Sequence, residues 1–164
     1  MTMAALAKTA LEFRLLAPEL AEALGDFFEC LSATDASSFF HPHPLTREQA
    51  KQLCDYSGRD LYFAGTYESR VLAYGLLRGW DEGYAVPSLG IAIAPQARGT
   101  RLARSFMLFL HSAARMRGCE RIRLTVFREN TNAVSLYQSL GYRFEPKNAQ
   151  EEVGIIDLRF PEAR

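Results

Sequence analysis

Between Arg98 and Ala103 the chain reads Arg-Gly-Thr-Arg-Leu-Ala, a basic, glycine-containing turn leading from an apolar stretch into an amphipathic one. A helix that starts here gathers unpaired backbone N–H groups and the positive end of its macrodipole. Such a junction is a ready site for a pyrophosphate. Further on, Asn130-Thr131-Asn132-Ala133 and Leu136-Tyr137 precede Gly141-Tyr142, which puts a tyrosine hydroxyl on a short second helix. Other proton-moving groups are His41 and His43, which titrate near neutrality, and Asp81 and Glu82 beside Trp80. The His41-Pro42-His43-Pro44 run either touches a substrate or stiffens a turn. Asp81 and Glu82 either work through a water or form a solvated loop. A metal centre needs more ligands at suitable spacing, and none is visible.

These groups need a scaffold. Leu89 to Ala94 is continuously apolar, as in a strand covered on both faces. Pro95 to Thr100 turns the chain, and Arg101 to Arg117 carries Leu102, Phe106, Phe109, Leu110 and Ala113 on one helical stripe that ends at Gly118. Arg121 to Phe127 alternates Ile122, Leu124 and Val126 with polar residues. This strand–helix–strand unit predicts a right-handed parallel crossover. Thr131 to Leu140 is then a short helix closed by Gly141, and Tyr142 to Phe144 with Val153 to Phe160 form a last hairpin.

Upstream, residues 12–16 form a short strand and Ala17 to Leu31 a helix with Pro18 in its first turn. A loop from Ser32 to Pro44 follows. Thr46 and Gln49 make a capping box for a helix to about Tyr56, stopped by Ser57-Gly58. Leu61 to Tyr67 and Val71 to Arg78 pair about Glu68-Ser69-Arg70, and Gly79 to Pro87 is a loop. Hairpins on either side of one crossover give an α+β arrangement, a mixed, mostly antiparallel sheet with helices on both faces.

The bulk properties narrow the function. The 164 residues suit one domain spanning 1–164, and 48% hydrophobic with 23% charged residues is ordinary for a soluble globular protein. Nineteen basic residues balance nineteen acidic ones, so neither a nucleic-acid nor a membrane partner is expected. Arginines crowd the middle of the chain, which suits a local anion site. Cys30, Cys54 and Cys119 lie far apart without a Cys-x-x-Cys pattern, consistent with idle thiols in a reducing compartment. No apolar run is long enough to span a bilayer. Met1 to Leu11 lacks the basic start and apolar core of a signal peptide. A cytoplasmic location is the expectation.

Arg98-Gly99-Thr100-Arg101-Leu102-Ala103, followed by Asn130-Thr131-Asn132-Ala133, Leu136-Tyr137 and Gly141-Tyr142, resembles the GCN5-related N-acetyltransferases. The resemblance is dense over residues 88 to 146, and the element order extends it to nearly the whole chain. The family's phosphate signature is Arg or Gln, two free positions, Gly, one free position, then Gly or Ala. Arg98 and Ala103 match its ends, whereas Arg101 stands where Gly is expected. Gly there lets the backbone approach the pyrophosphate closely. A right-handed helical φ is expected for Arg101, with its side chain either swung outward onto a phosphate or obstructing the pocket.

The resemblance implies the acyl-CoA N-acyltransferase fold and acetyl-CoA as acyl donor. It implies coenzyme contacts from Ile91, Ala92 and Ile93 on the strand, from Arg98, Gly99, Thr100, Arg101, Leu102 and Ala103 on the turn, and from Asn130, Ala133 and Tyr137. The pantetheine arm would pair with the Ile91 and Ile93 backbone, which requires that strand to splay from Arg121–Phe127. Catalysis would fall to a backbone N–H near Ile91 as oxyanion donor and to Tyr137 as general acid. The bland reading of Tyr137 is a core tyrosine on an amphipathic helix.

The expected acceptor is a primary amine of a small molecule, such as an amino sugar, amino acid or polyamine. The His/aromatic loop tilts the choice towards an amino sugar or similar metabolite. His41, His43, Asp81 and Glu82 are the candidate acceptor-binding residues, and Phe39, Phe40, Trp80 and Tyr84 are candidate pocket wall. The rate should rise with pH as the attacking nitrogen loses its proton. A protein N-acetyltransferase, or a non-catalytic CoA-binding sensor or interaction module, are the alternatives. The base, acyl length and oligomeric state are open, a homodimer included.

Overall fold

The computed structural model describes residues 9–34 and 38–159. Seven strands form one sheet in the order β1-β2-β3-β4-β5-β7-β6. They are β1 (Glu12–Leu15), β2 (Leu61–Tyr67), β3 (Arg70–Arg78), β4 (Ser88–Ile93), β5 (Arg121–Phe127), β6 (Arg143–Pro146) and β7 (Glu151–Asp157). All neighbours are antiparallel except β4 and β5. The helices are α1 (Ala21–Ser32), α2 (Arg47–Cys54), α3 (Leu102–Met116) and α4 (Thr131–Leu140). The expected α+β architecture is the one observed.

Local chemistry accounts for most boundaries. The Thr46 hydroxyl accepts from the Gln49 N–H at 3.1 Å and starts α2. Gly141, at φ 102°, closes α4 in the left-handed conformation that glycine adopts without strain. The β2–β3 turn is tighter than expected. Only Glu68 and Ser69 lie in it, both with positive φ, and Arg70 already pairs with Tyr67. Pro18–Leu20 forms a 3-10 turn rather than the first turn of α1. The last hairpin is Arg143–Pro146 with Glu151–Asp157 rather than Tyr142–Phe144 with Val153–Phe160, and Phe160 lies outside the described residues. Tyr142 is buried instead, just before β6.

The sheet has a core on each face. On one, Phe28, Leu24 and Leu31 of α1 and Leu53 of α2 cover Ala64, Tyr74, Leu76 and Ala92. On the other, Phe106, Met107 and Leu110 of α3 cover Ala73, Leu77, Leu89, Ile122 and Leu124. Burying each such Leu or Phe contributes about 1.5–3 kcal/mol. α3 lies very close to the sheet, since a Cβ on Gly75 would stand 2.9 Å from Phe106 Cζ. That contact sets the height of α3, and so the position of its N-terminus at the end of β4.

Candidate active site

β4 pairs with β3 along its length, from Ser88 opposite Arg78 to Ile93 opposite Ala73. Its other edge meets β5 at a single position, Ser88 with Arg123. Beyond that point the two strands separate. The Ala94 N–H donates to the Leu72 carbonyl at 2.8 Å. Antiparallel ladders alternate in direction every residue, so Ala92 and Gly90 also turn their peptide groups to β3. Ile91 and Ile93 turn theirs to the open side. The sequence-derived expectation of a splayed strand presenting these two residues is therefore met in the backbone.

The opening is a cleft of about 1010 Å³. Ile91, Ala92 and Ile93 line it from β4, Arg98, Gly99, Arg101, Leu102 and Ala103 from the turn, and Asn130, Ala133 and Tyr137 from the far side. Thr100 is absent from this lining, and its hydroxyl donates to the Ala97 carbonyl at 2.5 Å within the turn. The first helical residues, Leu102 to Arg104, have no intrahelical acceptor for their N–H groups. No side chain caps them, and no acidic residue occupies the first turn. The positive end of α3 therefore faces the cleft without an internal counter-charge.

Arg101 corrects one expectation. It is the residue before the helix, not its first helical residue, and sits at φ 65° and ψ 15°, in the left-handed region. The chain must reverse here to enter α3 from the extended Arg98, and this conformation closes the reversal. It costs an L-residue about 1–2 kcal/mol and glycine nothing comparable. Arg101 is exposed and is one of the residues at the cleft.

Tyr137 is 8% exposed, and burial raises its hydroxyl to about 12. No partner within the described residues bonds that hydroxyl, yet it is not sealed off, since no fully enclosed side-chain oxygen lacks a partner. Its ring rests on Tyr142 at 5.7 Å. Tyr142 in turn shares a 2.7 Å hydrogen bond with His111 of α3. Asn130 has a local task as well, since its Oδ1 accepts from the Ala133 N–H at 3.4 Å and caps α4.

The four candidate acceptor residues lie outside the cleft lining. His43 Nδ1–H donates to its neighbour's carbonyl, Pro44 O, at 2.8 Å, and Nε2 accepts from the Tyr74 hydroxyl at 2.8 Å. Desolvation holds this imidazole below its usual pKa, against the pull of the Pro44 bond and helped by the Arg78 charge. His41 Nε2 donates to the Ser38 carbonyl at 2.7 Å. Asp81 accepts from the Tyr56 hydroxyl and, at 2.9 Å, from the Arg59 N–H. Those contacts hold its carboxyl below the ordinary range, the Tyr56 bond first. Glu82 is exposed in the same loop.

Of the candidate wall residues, Phe39 and Phe40 line the cleft. Trp80 lies instead beneath the Arg117 guanidinium, 4.9 Å away, and Tyr84 is exposed. Sequence reasoning missed Leu31 and Thr125, which also line the cleft, and placed Arg104 only within the arginine cluster without a site role. Arg104 had a signal, one helical turn after Arg101 on the same face. Thr125 had none, because an outward residue on an alternating strand looks the same whether solvent or a ligand lies beside it.

A sequence profile of the acetyltransferase (GNAT) family matches residues 22–142. Among solved structures, the GNAT domain of S. lividans PAT aligns with a TM-score of 0.75 at 18% identity, over 90% of each chain. A GCN5-related N-acetyltransferase from Kribbella flavida aligns at 0.72 and 24% identity, over 90% of this chain and 98% of that one. The PaiA N-acetyltransferase from Thermoplasma acidophilum, solved in complex with coenzyme A, aligns at 0.71 and 16% identity, over 91% and 99%. No sequence among curated proteins matches this chain. The structural likenesses carry the acyl-CoA N-acyltransferase fold. With the family profile spanning most of its length, this chain belongs to the acetyltransferase (GNAT) family.

Proposed function

We propose that the chain is an acetyl-CoA-dependent N-acetyltransferase that transfers the acetyl group to a primary amine of a small molecule by direct attack. Family membership makes it an acyltransferase. The observation that carries the finer reading is the open edge of β4 facing Tyr137 across the cleft.

The residues present fit an acyl-CoA. Unpaired N–H groups at the start of α3, with Arg98 and Arg101 beside them, suit a diphosphate. The outward peptide groups of Ile91 and Ile93 suit the amide-bearing arm. Acetyl-CoA supplies an activated acyl thioester when bound. The Ile91 N–H is the fixed donor for the carbonyl oxygen, the kind of group whose removal costs about 3–4 kcal/mol elsewhere. Tyr137 Oη holds the proton that the departing thiolate takes up. The burial that raises the phenol raises a thiol in the same cleft in the same sense, which keeps the two matched. In the net reaction a C–N bond forms and the C–S bond breaks. The nitrogen's proton passes to water, and Tyr137 regains its own from solvent.

Calorimetry with acetyl-CoA, together with thiol release over a panel of amines, tests this. Saturable binding and turnover on at least one amine are expected. A second reading, a CoA-binding sensor or interaction module, draws on Arg101 at the glycine position of the phosphate turn. Binding without turnover on any amine or N-terminal peptide would favour it.

A further inference from the structure

Away from the phosphate turn, the cleft is walled by Leu31 of α1 and by Phe39 and Phe40 from the α1–α2 connection. The Phe39 ring lies 5.9 Å from that of Phe127 at the end of β5, tilted by 48°. A loop side chain is thus tied to the sheet across the mouth of the splay, with 38% of Phe39 still exposed. The Phe40 and Tyr74 rings meet in a T-shaped pair at 6.0 Å. Such faces suit a flat ring in offset or edge-on contact.

Electrostatics points to the charge state of the acceptor. The titratable side chains among the described lining residues are Arg98, Arg101, Arg104 and Tyr137. No carboxylate or imidazole is among them to pair with an ammonium ion, and burial disfavours an unpaired charge. Titratable groups on the flanking loops, His41, His43, Asp81 and Glu82, lie outside that lining. His43 bonds Pro44 and Tyr74, His41 bonds Ser38, and Asp81 bonds Tyr56 and Arg59. An alkylammonium finds no side chain in that lining to balance its charge or take its proton. An arylamine, whose lone pair is shared with its ring, is already neutral.

We infer that the acceptor is an aromatic primary amine whose nitrogen is uncharged at neutral pH, an inference that rests on the acetyl-transfer reading above. Phe39 is the specificity-determining residue. The amide forms as the C–S bond breaks, the nitrogen's proton goes to water, and the thiolate takes its proton from Tyr137.

The test measures kcat/KM for p-anisidine, phenethylamine, spermidine and glucosamine with acetyl-CoA and the full chain. The p-anisidine value should exceed the other three by at least about tenfold. Its pH profile should be flat from mildly acidic to mildly alkaline. Phe39→Ala should lower kcat/KM for p-anisidine by about tenfold or more, while Phe39→Tyr retains it. Calorimetric affinity for acetyl-CoA should not change in either variant. If phenethylamine, spermidine or glucosamine equals or surpasses p-anisidine, or if Phe39→Ala leaves p-anisidine turnover intact, the inference is overturned while N-acetyl transfer itself stands. Turnover on no amine at all would overturn both.

Discussion

The His111 imidazole and the Tyr142 hydroxyl share a 2.7 Å hydrogen bond inside the core, on a stripe of α3 otherwise made of Leu102, Phe106, Met107, Leu110 and Ala114. Burial lowers the His111 pKa to about 4, with a smaller push from Arg115. The folded state therefore holds fewer protons than the unfolded state between the ordinary histidine value of about 6.5 and that lower value. His111's contribution is full above that window and is lost as pH falls through it, by up to about 3 kcal/mol. Urea unfolding at neutral pH and near pH 4 should show this loss in the wild type. It should be smaller by roughly that amount in His111→Leu/Tyr142→Phe, which removes both partners and leaves no orphan. An equal loss in both proteins would refute the assignment.

Tyr137→Phe removes only an oxygen that bonds no described partner, so the fold should be unaffected. If that oxygen supplies the leaving-group proton, kcat should fall by about 100- to 10,000-fold. Acetyl-CoA affinity, read by calorimetry, should change little. A variant with wild-type kcat would return Tyr137 to the role of a core tyrosine.

Arg101→Gly should move stability and affinity in opposite directions. Relief of the left-handed backbone is worth about 1 kcal/mol, so the melting temperature should rise. Loss of a charge-assisted bond to phosphate, about 1.5–3 kcal/mol, should weaken acetyl-CoA binding by roughly tenfold to a hundredfold. Tighter binding by the variant would mean that the arginine obstructs the phosphate turn rather than serving it.

Gly75→Ala tests whether α3 is held at its height by close contact. The new Cβ would meet Phe106 Cζ at 2.9 Å and Leu110 Cδ1 at 3.0 Å. Overpacking of this kind costs about 1–3 kcal/mol. Denaturant midpoints should report that loss, and acetyl-CoA affinity should fall as the start of α3 is pushed from the end of β4. Unchanged affinity would show that the turn does not depend on this contact.

Much of the architecture was legible because each signal is local. The alternation of Ile122, Leu124 and Val126 marks the inward face of β5, and all three are buried. The Thr46–Gln49 pair marks the start of α2, and Gly141 the end of α4. Boundaries slipped where no local signal exists, as at Tyr142, whose burial comes from contacts with His111 and Tyr137 on other elements.

The amino-acid order by itself determined the succession of strands and helices, the apolar face of each, and the basic turn at a helix start, because periodicity and capping act over a few residues. Tertiary structure decided the rest. The parting of β4 from β5 after Ser88 and Arg123 depends on how each strand is held by its other neighbour. The left-handed Arg101 depends on where α3 must begin above the sheet. Which polar groups face the cleft depends on partners distant in sequence: Tyr74 occupies His43, Tyr56 occupies Asp81, and the Tyr137 hydroxyl stays unbonded among the described residues. Such pairings follow from packing in three dimensions, and no spacing along the chain encodes them.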